Sequence, residues 1–341
     1  MLQLPRINNY WLPEGSEGQA CLKQDCPTTE HAHPTRWHAE QDLDLDSIVH
    51  SAKGKSMLER GHTEFVQAQM LPWRRIGQGL ARPDAEFKML SQDATDGACS
   101  VLMRYPPGWS REGPEHICAD EEFYVLDGSL EMDGRHYAAD HYAFLPAGWT
   151  RQTMRSRNGC VLLAFYNREP GLIPHAGSLS AADEARCIPQ IDVTQMPWDM
   201  TLNDPNLRHL GIGRKNLRTD PISGERTFLS IILPQAVPPG FKGPQETHPT
   251  VEESWLLSGS LTGPHGTMYP GAYFWRPPGI PHGPFGARWG AVSLMRFVGG
   301  QHVNQWSQQD APFSFDAPYK PVLPPELEHL ADQPWQQAPS W

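Results

Sequence analysis

Glu246, His248, Glu252 and His282 are the residues whose types and spacing could do chemistry, and that chemistry is metal binding. They stand in two runs. The first reads Gly240, five residues, Glu246, one residue, His248, three residues, Glu252, six residues, Gly259; the second reads Gly271, five residues, Pro277, one residue, Gly279, two residues, His282. Residues two apart on a strand point to one face, so Glu246 and His248 share a side. Carboxylate oxygen and imidazole nitrogen suit Fe(II), Mn(II), Ni(II) or Zn(II). The set holds no cysteine, which argues against a structural zinc–thiolate site. Each residue alone has an ordinary explanation: a lone histidine is more often hydrogen-bonded than ligating, and Glu252 beside Glu253 reads as a solvated strand edge. The glycine and proline punctuation around all four favours the metal.

These side chains need strands and tight turns to bring them together. Glu252 opens a strand-like stretch through Leu257 that ends at the turn signal Ser258-Gly259, and His282 follows the rigid turn Pro277-Pro278-Gly279 after the aromatic run Tyr273-Phe274-Trp275. Other short apolar runs recur between turns: 100–105, 122–126, 160–166, 227–233 and 291–297. Regular short strands of this kind predict an all-β barrel or jelly roll.

The pattern occurs twice. Gly108, Pro114, His116, Glu121 and Gly128 repeat the first run, and Asp140, Pro146, Gly148 and Arg151 repeat the second. Four pairs share one offset, since 252 − 121, 259 − 128, 277 − 146 and 282 − 151 all equal 131. Met70-Leu71-Pro72-Trp73 echoes Met196-Pro197-Trp198. A repeat of this length is a duplicated domain. The first copy has Pro114 and Arg151 where the second has Glu246 and His282. Proline offers no side-chain ligand and Arg151 is a permanent cation. His116 and Glu121 alone are too few for a tight site, with Cys118 and His141 nearby in sequence as substitutes. The first copy is therefore expected to be metal-free and structural, or to use Arg151 for an anionic ligand.

The two runs resemble the two-part motif of the cupin family, whose usual pattern has histidine at the place of Glu246. The resemblance covers about residues 65 to 300 and implies a bicupin. The expected fold is all-β: two tandem cupin barrels (double-stranded β-helix, or jelly roll), with an irregular extension over 1–63, barrels over 64–175 and 190–300, and a proline-rich tail over 301–341. The short gap between runs, the pair Glu121-Glu122, the phrase Phe123-Tyr124-Val125-Leu126-Asp127-Gly128 and the leading Pro72-Trp73 look like the ChrR-like cupins. The resemblance implies one divalent metal in the second barrel and an enzyme acting on a small organic substrate, with an Fe(II) dioxygenase as the leading reading. A metal-dependent isomerase or lyase, and a non-enzymatic ChrR-like sensor or ligand binder, are the alternatives. Tyr273, Phe274 and Trp275 are candidates to wall the substrate pocket, with Arg151 as a further substrate contact; alternation turns Trp255 away from Glu252.

Composition limits the remaining classes. With 28 basic and 39 acidic residues the formal net charge is −11, which disfavours nucleic acid and anionic membrane surfaces. No apolar run approaches the roughly 20 residues of a membrane-spanning helix, and no secretory signal is visible. Six dispersed cysteines without a CxxC motif predict free thiols and a cytoplasmic location. The extension carries His31 and His33, Cys21 and Cys26, and one expected helix over 43–58. The tail has seven prolines and three tryptophans in 41 residues, so regular helix or central strand is excluded there. Its tryptophans suggest packing along a barrel or a partner subunit, as in a homodimer.

Overall fold

A computed structural model describes residues 60–75, 82–174, 182–201 and 204–333. The extension's histidines, its cysteine pair and its expected helix lie outside these residues. Strands dominate, and the helical pieces among the described residues are 3-10 turns of three to six residues. The expected strands are present at Cys99–Tyr105, Glu121–Met132, Cys160–Tyr166, Arg226–Ile232 and Ala291–Val298. They form two tandem cupin-type barrels, with the same antiparallel register in each half. Glu121 lies opposite Leu145 as Glu252 lies opposite Arg276, and Gly128 lies opposite Cys160 as Gly259 lies opposite Ala291. The closing glycine of each first run is required sterically. At Gly259, with φ of +77°, a Cβ would sit 2.0 Å from the carbonyl oxygen of Gly290, and at Gly128 a Cβ would meet Gly159 at 2.2 Å.

The halves do not divide cleanly along the chain. Thr63–Gln67 leaves its own half and pairs with Ala272–Arg276 of the second barrel, Thr63 opposite Trp275 and Gln67 opposite Ala272. In exchange Ile188–Asp192 pairs with His141–Leu145 of the first barrel. Each exchanged strand runs into a 3-10 turn, Ala68–Met70 in one case and Val193–Gln195 in the other. That turn is the structural basis of the repeated Met-Pro-Trp phrase.

Alternation along the strands separates the interior of each barrel from the face between barrels. In the first half Val101, Met103, Tyr105, Phe123, Val125, Leu162 and Tyr166 fill the barrel. Their neighbours Leu102, Tyr124, Tyr142, Phe144, Leu163 and Phe165 join Leu229, Trp255, Tyr273, Trp275 and Leu294 in a single shared core. The two barrels are thus glued face to face by aromatic and branched side chains. Glu122 and Glu253 also point into this face and are buried. Glu122 accepts from Tyr142 Oη at 2.7 Å and pairs with Arg296 at 3.1 Å; Glu253 accepts from Tyr273 Oη at 2.6 Å, from Ser100, and from the same Arg296.

The tail contains an edge strand, Gln305–Pro312, paired with Lys242–Thr247. Its proline sits at the last position, where no ladder hydrogen bond is lost.

Candidate metal centre

Four local features bring the second-barrel residues to one point. Glu246 is the penultimate residue of the strand Lys242–Thr247, and its backbone pairs with that of His282 in both directions, each N–H···O at 3.0 Å. The Pro277-Pro278-Gly279 turn docks on the other histidine, Gly279 N–H donating to His248 O at 2.8 Å. Glu252 sits at the second position of strand Val251–Gly259 and points into the barrel. Donor atoms of Glu246, His248 and His282 all lie within 4.8 Å of one another. That is close to the separation of about 4 Å at which two donors face each other across one ion bound at 2.0–2.2 Å.

The imidazoles are set up as ligands. His248 Nδ1 lies 3.1 Å from the carbonyl of Val303, and His282 Nδ1 lies 2.9 Å from that of Ile280. A ring that donates from Nδ1 keeps its lone pair on Nε2, the arrangement by which an outer partner orients a metal-bound histidine. Both Nε2 atoms are buried and have no hydrogen-bond partner. They lie 3.6 Å (His248) and 3.1 Å (His282) from the same Glu252 oxygen, and His282 Nε2 is also 3.6 Å from Glu246. Two orphaned nitrogens and two carboxylates converging on one buried point fit a divalent ion.

Glu252 has a second partner. Its carboxylate pairs with buried Arg276, which also holds Glu64 of the exchanged strand through Nε at 2.9 Å and through Nη2. Burial pushes the Glu252 carboxyl up, but Arg276 and the surrounding histidines outweigh it and hold Glu252 low. Glu246 goes the other way: burial and the negative Glu252 raise it to about 8. Burial and Arg276 lower His282 to about 4, which keeps it neutral with its lone pair free. A metal entering at neutral pH must therefore displace a proton from Glu246. Affinity is expected to rise by up to about tenfold per pH unit below pH 8 and to level off above it. A chelator-competition titration from pH 6.5 to 8.5 checks this, and Glu246→Gln should flatten the slope.

The cavity in front of these groups measures about 80 Å³. Its walls include Leu207, Leu210, Phe228, Phe274, Phe285 and Phe297, with Arg214, His302 and Asn304 among the polar residues. It exists because three inward positions changed size. Register places Ser230, Ser254 and Ser293 where the first barrel has Met103, Phe123 and Leu162. Two of those serines, Ser230 and Ser293, line the cavity.

Several expected residues stand elsewhere. Phe274 lines the cavity as expected, but Tyr273 and Trp275 do not: on a strand its neighbours face the opposite way, into the core between barrels. Tyr273 is bonded to Ser91 and Glu253, and Trp275 lies beneath Arg60. Glu253 is not a solvated edge, because its outward face is the neighbouring barrel. Arg151 is spent internally, donating to Glu121 and to the carbonyl of Trp149 at 2.9 Å. Arg82 and Tyr166 complete the shell around Glu121, at 3.2 and 2.8 Å. An ion-pair cluster thus occupies the place corresponding to the metal point. Cys118 donates to the carbonyl of Glu169, and His141 bonds to backbone at residues 136 and 138, so neither joins Glu121.

The sequence reading missed His302. It stacks on Phe297 with ring centroids 3.6 Å apart and stands 5.0 Å from the His248 ring. Burial and Arg214 lower it to about 3. It lies beyond the second run and the repeat gives it no counterpart, so spacing carried no signal for it.

A family model described as Domain of unknown function (DUF4437) matches residues 64–303. The chain belongs to the DUF4437 family. The DUF4437 region takes in both barrels, the exchanged strand from Glu64 onward, and His302. Among solved structures, a candidate dioxygenase from Nostoc punctiforme is similar to this DUF4437 chain with a TM-score of 0.63 and 19% identity, over 75% of this chain and 88% of that one. At that identity the likeness is one of fold. A 7S globulin from Momordica charantia follows at a TM-score of 0.45 and 11% identity, covering 71% of this chain and 86% of that one. Oxalate decarboxylase from Bacillus subtilis follows at 0.43 and 12%, covering 80% and 86%. No curated protein sequence matches the chain. Among the described residues, no helix is long and apolar enough to cross a membrane.

Proposed function

We propose that this protein is a metal-dependent enzyme, an Fe(II) dioxygenase that acts on a small organic substrate in the second barrel. The observation that carries the reading is the pair of buried, unpartnered Nε2 atoms of His248 and His282 facing Glu246 and Glu252 beside a cavity. His248, His282 and Glu246 would hold the ion, with Glu252 shared between it and Arg276. Bound there, iron supplies a redox-active centre with open coordination positions. The protein's own part is to hold and to exclude. Backbone carbonyls fix both rings, Arg276 keeps Glu252 ionised, and the apolar walls keep water from the reacting molecule. The N. punctiforme protein's description as a candidate dioxygenase agrees with this choice.

The phrase that resembles ChrR-like cupins, 121–128, lies in the first barrel and its interface. The described cysteines Cys99, Cys118, Cys160 and Cys187 are free thiols, in keeping with a reducing cytoplasmic setting.

Metal analysis of purified protein should give about one equivalent per chain, one for each intact ligand set. Anaerobic reconstitution with Fe(II), followed by oxygen uptake against diketones, phenols and hydroxyketones, tests the reaction. Turnover without oxygen consumption would move the protein to the lyase or isomerase class. A broad panel with no turnover, together with a protein partner recovered in pull-downs, would make it a sensor.

A further inference from the structure

We infer that the substrate of the second-barrel site is a small, largely apolar monocarboxylate and that Arg214 is the residue that receives its carboxylate. The inference rests on the metal-site reading above and adds the class of molecule the site takes. Arg214 lies on strand Gly213–Thr219 and lines the same cavity as Glu246, His248 and Glu252. Its Nε is buried without a hydrogen-bond partner. Among the described residues no carboxylate comes within 4.0 Å of its guanidinium. The other arginine at the site, Arg276, is saturated by Glu64 and Glu252. Arg214 instead lies over the ring of Phe228 at 4.7 Å, a contact that orients the fork without neutralising it.

The charges at the site give the sign and size of the missing partner. Glu64, Glu246 and Glu252 contribute three negative charges, and Arg214 and Arg276 two positive ones. A divalent ion brings the sum to one positive charge. Nearby, Asp204, bonded to Asn304 and Trp306, and Arg226, which lies over the same Phe228 ring as Arg214, add one charge of each sign. A buried site with one uncompensated cation favours a monoanion. A planar guanidinium fork matches a carboxylate. A phosphate dianion would bring one charge too many, and the rest of the cavity is walled mainly by leucine, isoleucine, methionine and phenylalanine side chains. Those walls take the hydrocarbon part.

Isothermal titration of isobutyrate and benzoate, against isobutyramide and benzamide, into the zinc-loaded protein tests this without any turnover. The acids should bind at least tenfold more tightly than the amides. Removing the zinc should weaken the acids at least tenfold, because the site then loses the ion's positive charge. Arg214→Met should lower acid affinity at least tenfold while zinc content and thermal unfolding stay as in wild type. Arg214→Lys, which keeps the charge, should recover part of the affinity. No acid binding, equal binding of acids and amides, or acids bound as tightly by Arg214→Met as by wild type overturns the inference while leaving the metal site intact. A wild-type protein that takes up no zinc removes the metal reading and this inference with it.

Discussion

Replacing His248 and His282 together with alanine is expected to abolish metal retention and all turnover, while the protein still folds. Loss of an outer partner of a metal ligand already costs 10–100-fold in affinity, so losing both imidazoles should exceed about 10³-fold. Both side chains are buried; their Nε2 atoms have no hydrogen-bond partner, and the bonds lost are the two from Nδ1 to the carbonyls of Val303 and Ile280, which cost stability without removing the core of either barrel. The double variant should therefore come off a size-exclusion column as wild type does, with metal below a tenth of an equivalent by mass spectrometry. Metal retained at one equivalent would place the ion elsewhere and end the assignment.

The second large effect concerns stability. Among the described residues, Arg296 is the one side chain that pairs with both Glu122 and Glu253, one from each barrel. Burial alone would raise the Glu122 carboxyl, and Arg296, the strongest of its opposing partners, helps hold it low. Arg296→Met leaves two carboxylates uncompensated between the barrels. Removing one partner of a buried ion pair costs about 3–5 kcal/mol, and here two partners are exposed to that penalty. Chemical denaturation should show a loss in this range, while metal content at neutral pH stays at one equivalent in the folded fraction. The double change Glu122→Gln plus Glu253→Gln in the Arg296→Met background should recover much of the loss, because neutral amides replace the stranded charges. A loss under about 1 kcal/mol would show that the pairs are solvated, as surface pairs are.

Spacing made the centre legible because a strand repeats every two residues and a glycine at positive φ fixes where the strand must turn. Glu246, His248, Glu252 and His282 come together by those two rules, and so do Glu121 and Arg151 in the first copy. The same alternation told that Glu253 and Trp255 point away from Glu252, but not what lies on that side. A strand buried on both faces reads like a strand with a wet face whenever its outer residues are Glu, Tyr and Trp. For that reason Tyr273, Trp275 and Glu253 were misplaced, and only the facing barrel explains them. Strand exchange was equally hidden. The Met-Pro-Trp echo marked a repeated feature, but nothing local says which sheet edge Thr63–Gln67 will join. His302 lies outside both runs, and only the return of the tail along Lys242–Thr247 brings it near His248.

The exchange of Thr63–Gln67 makes the first half part of the second barrel's candidate metal centre. Glu64 precedes the first barrel in the chain, yet it pairs with Arg276, which pairs with Glu252 among the candidate ligands. A gene encoding only the second half would leave a naked sheet edge along Ala272–Arg276 and an unbalanced guanidinium beside the ligands. The first half cannot be deleted without cost, because the second barrel's candidate centre draws a wall strand and a counter-charge from it.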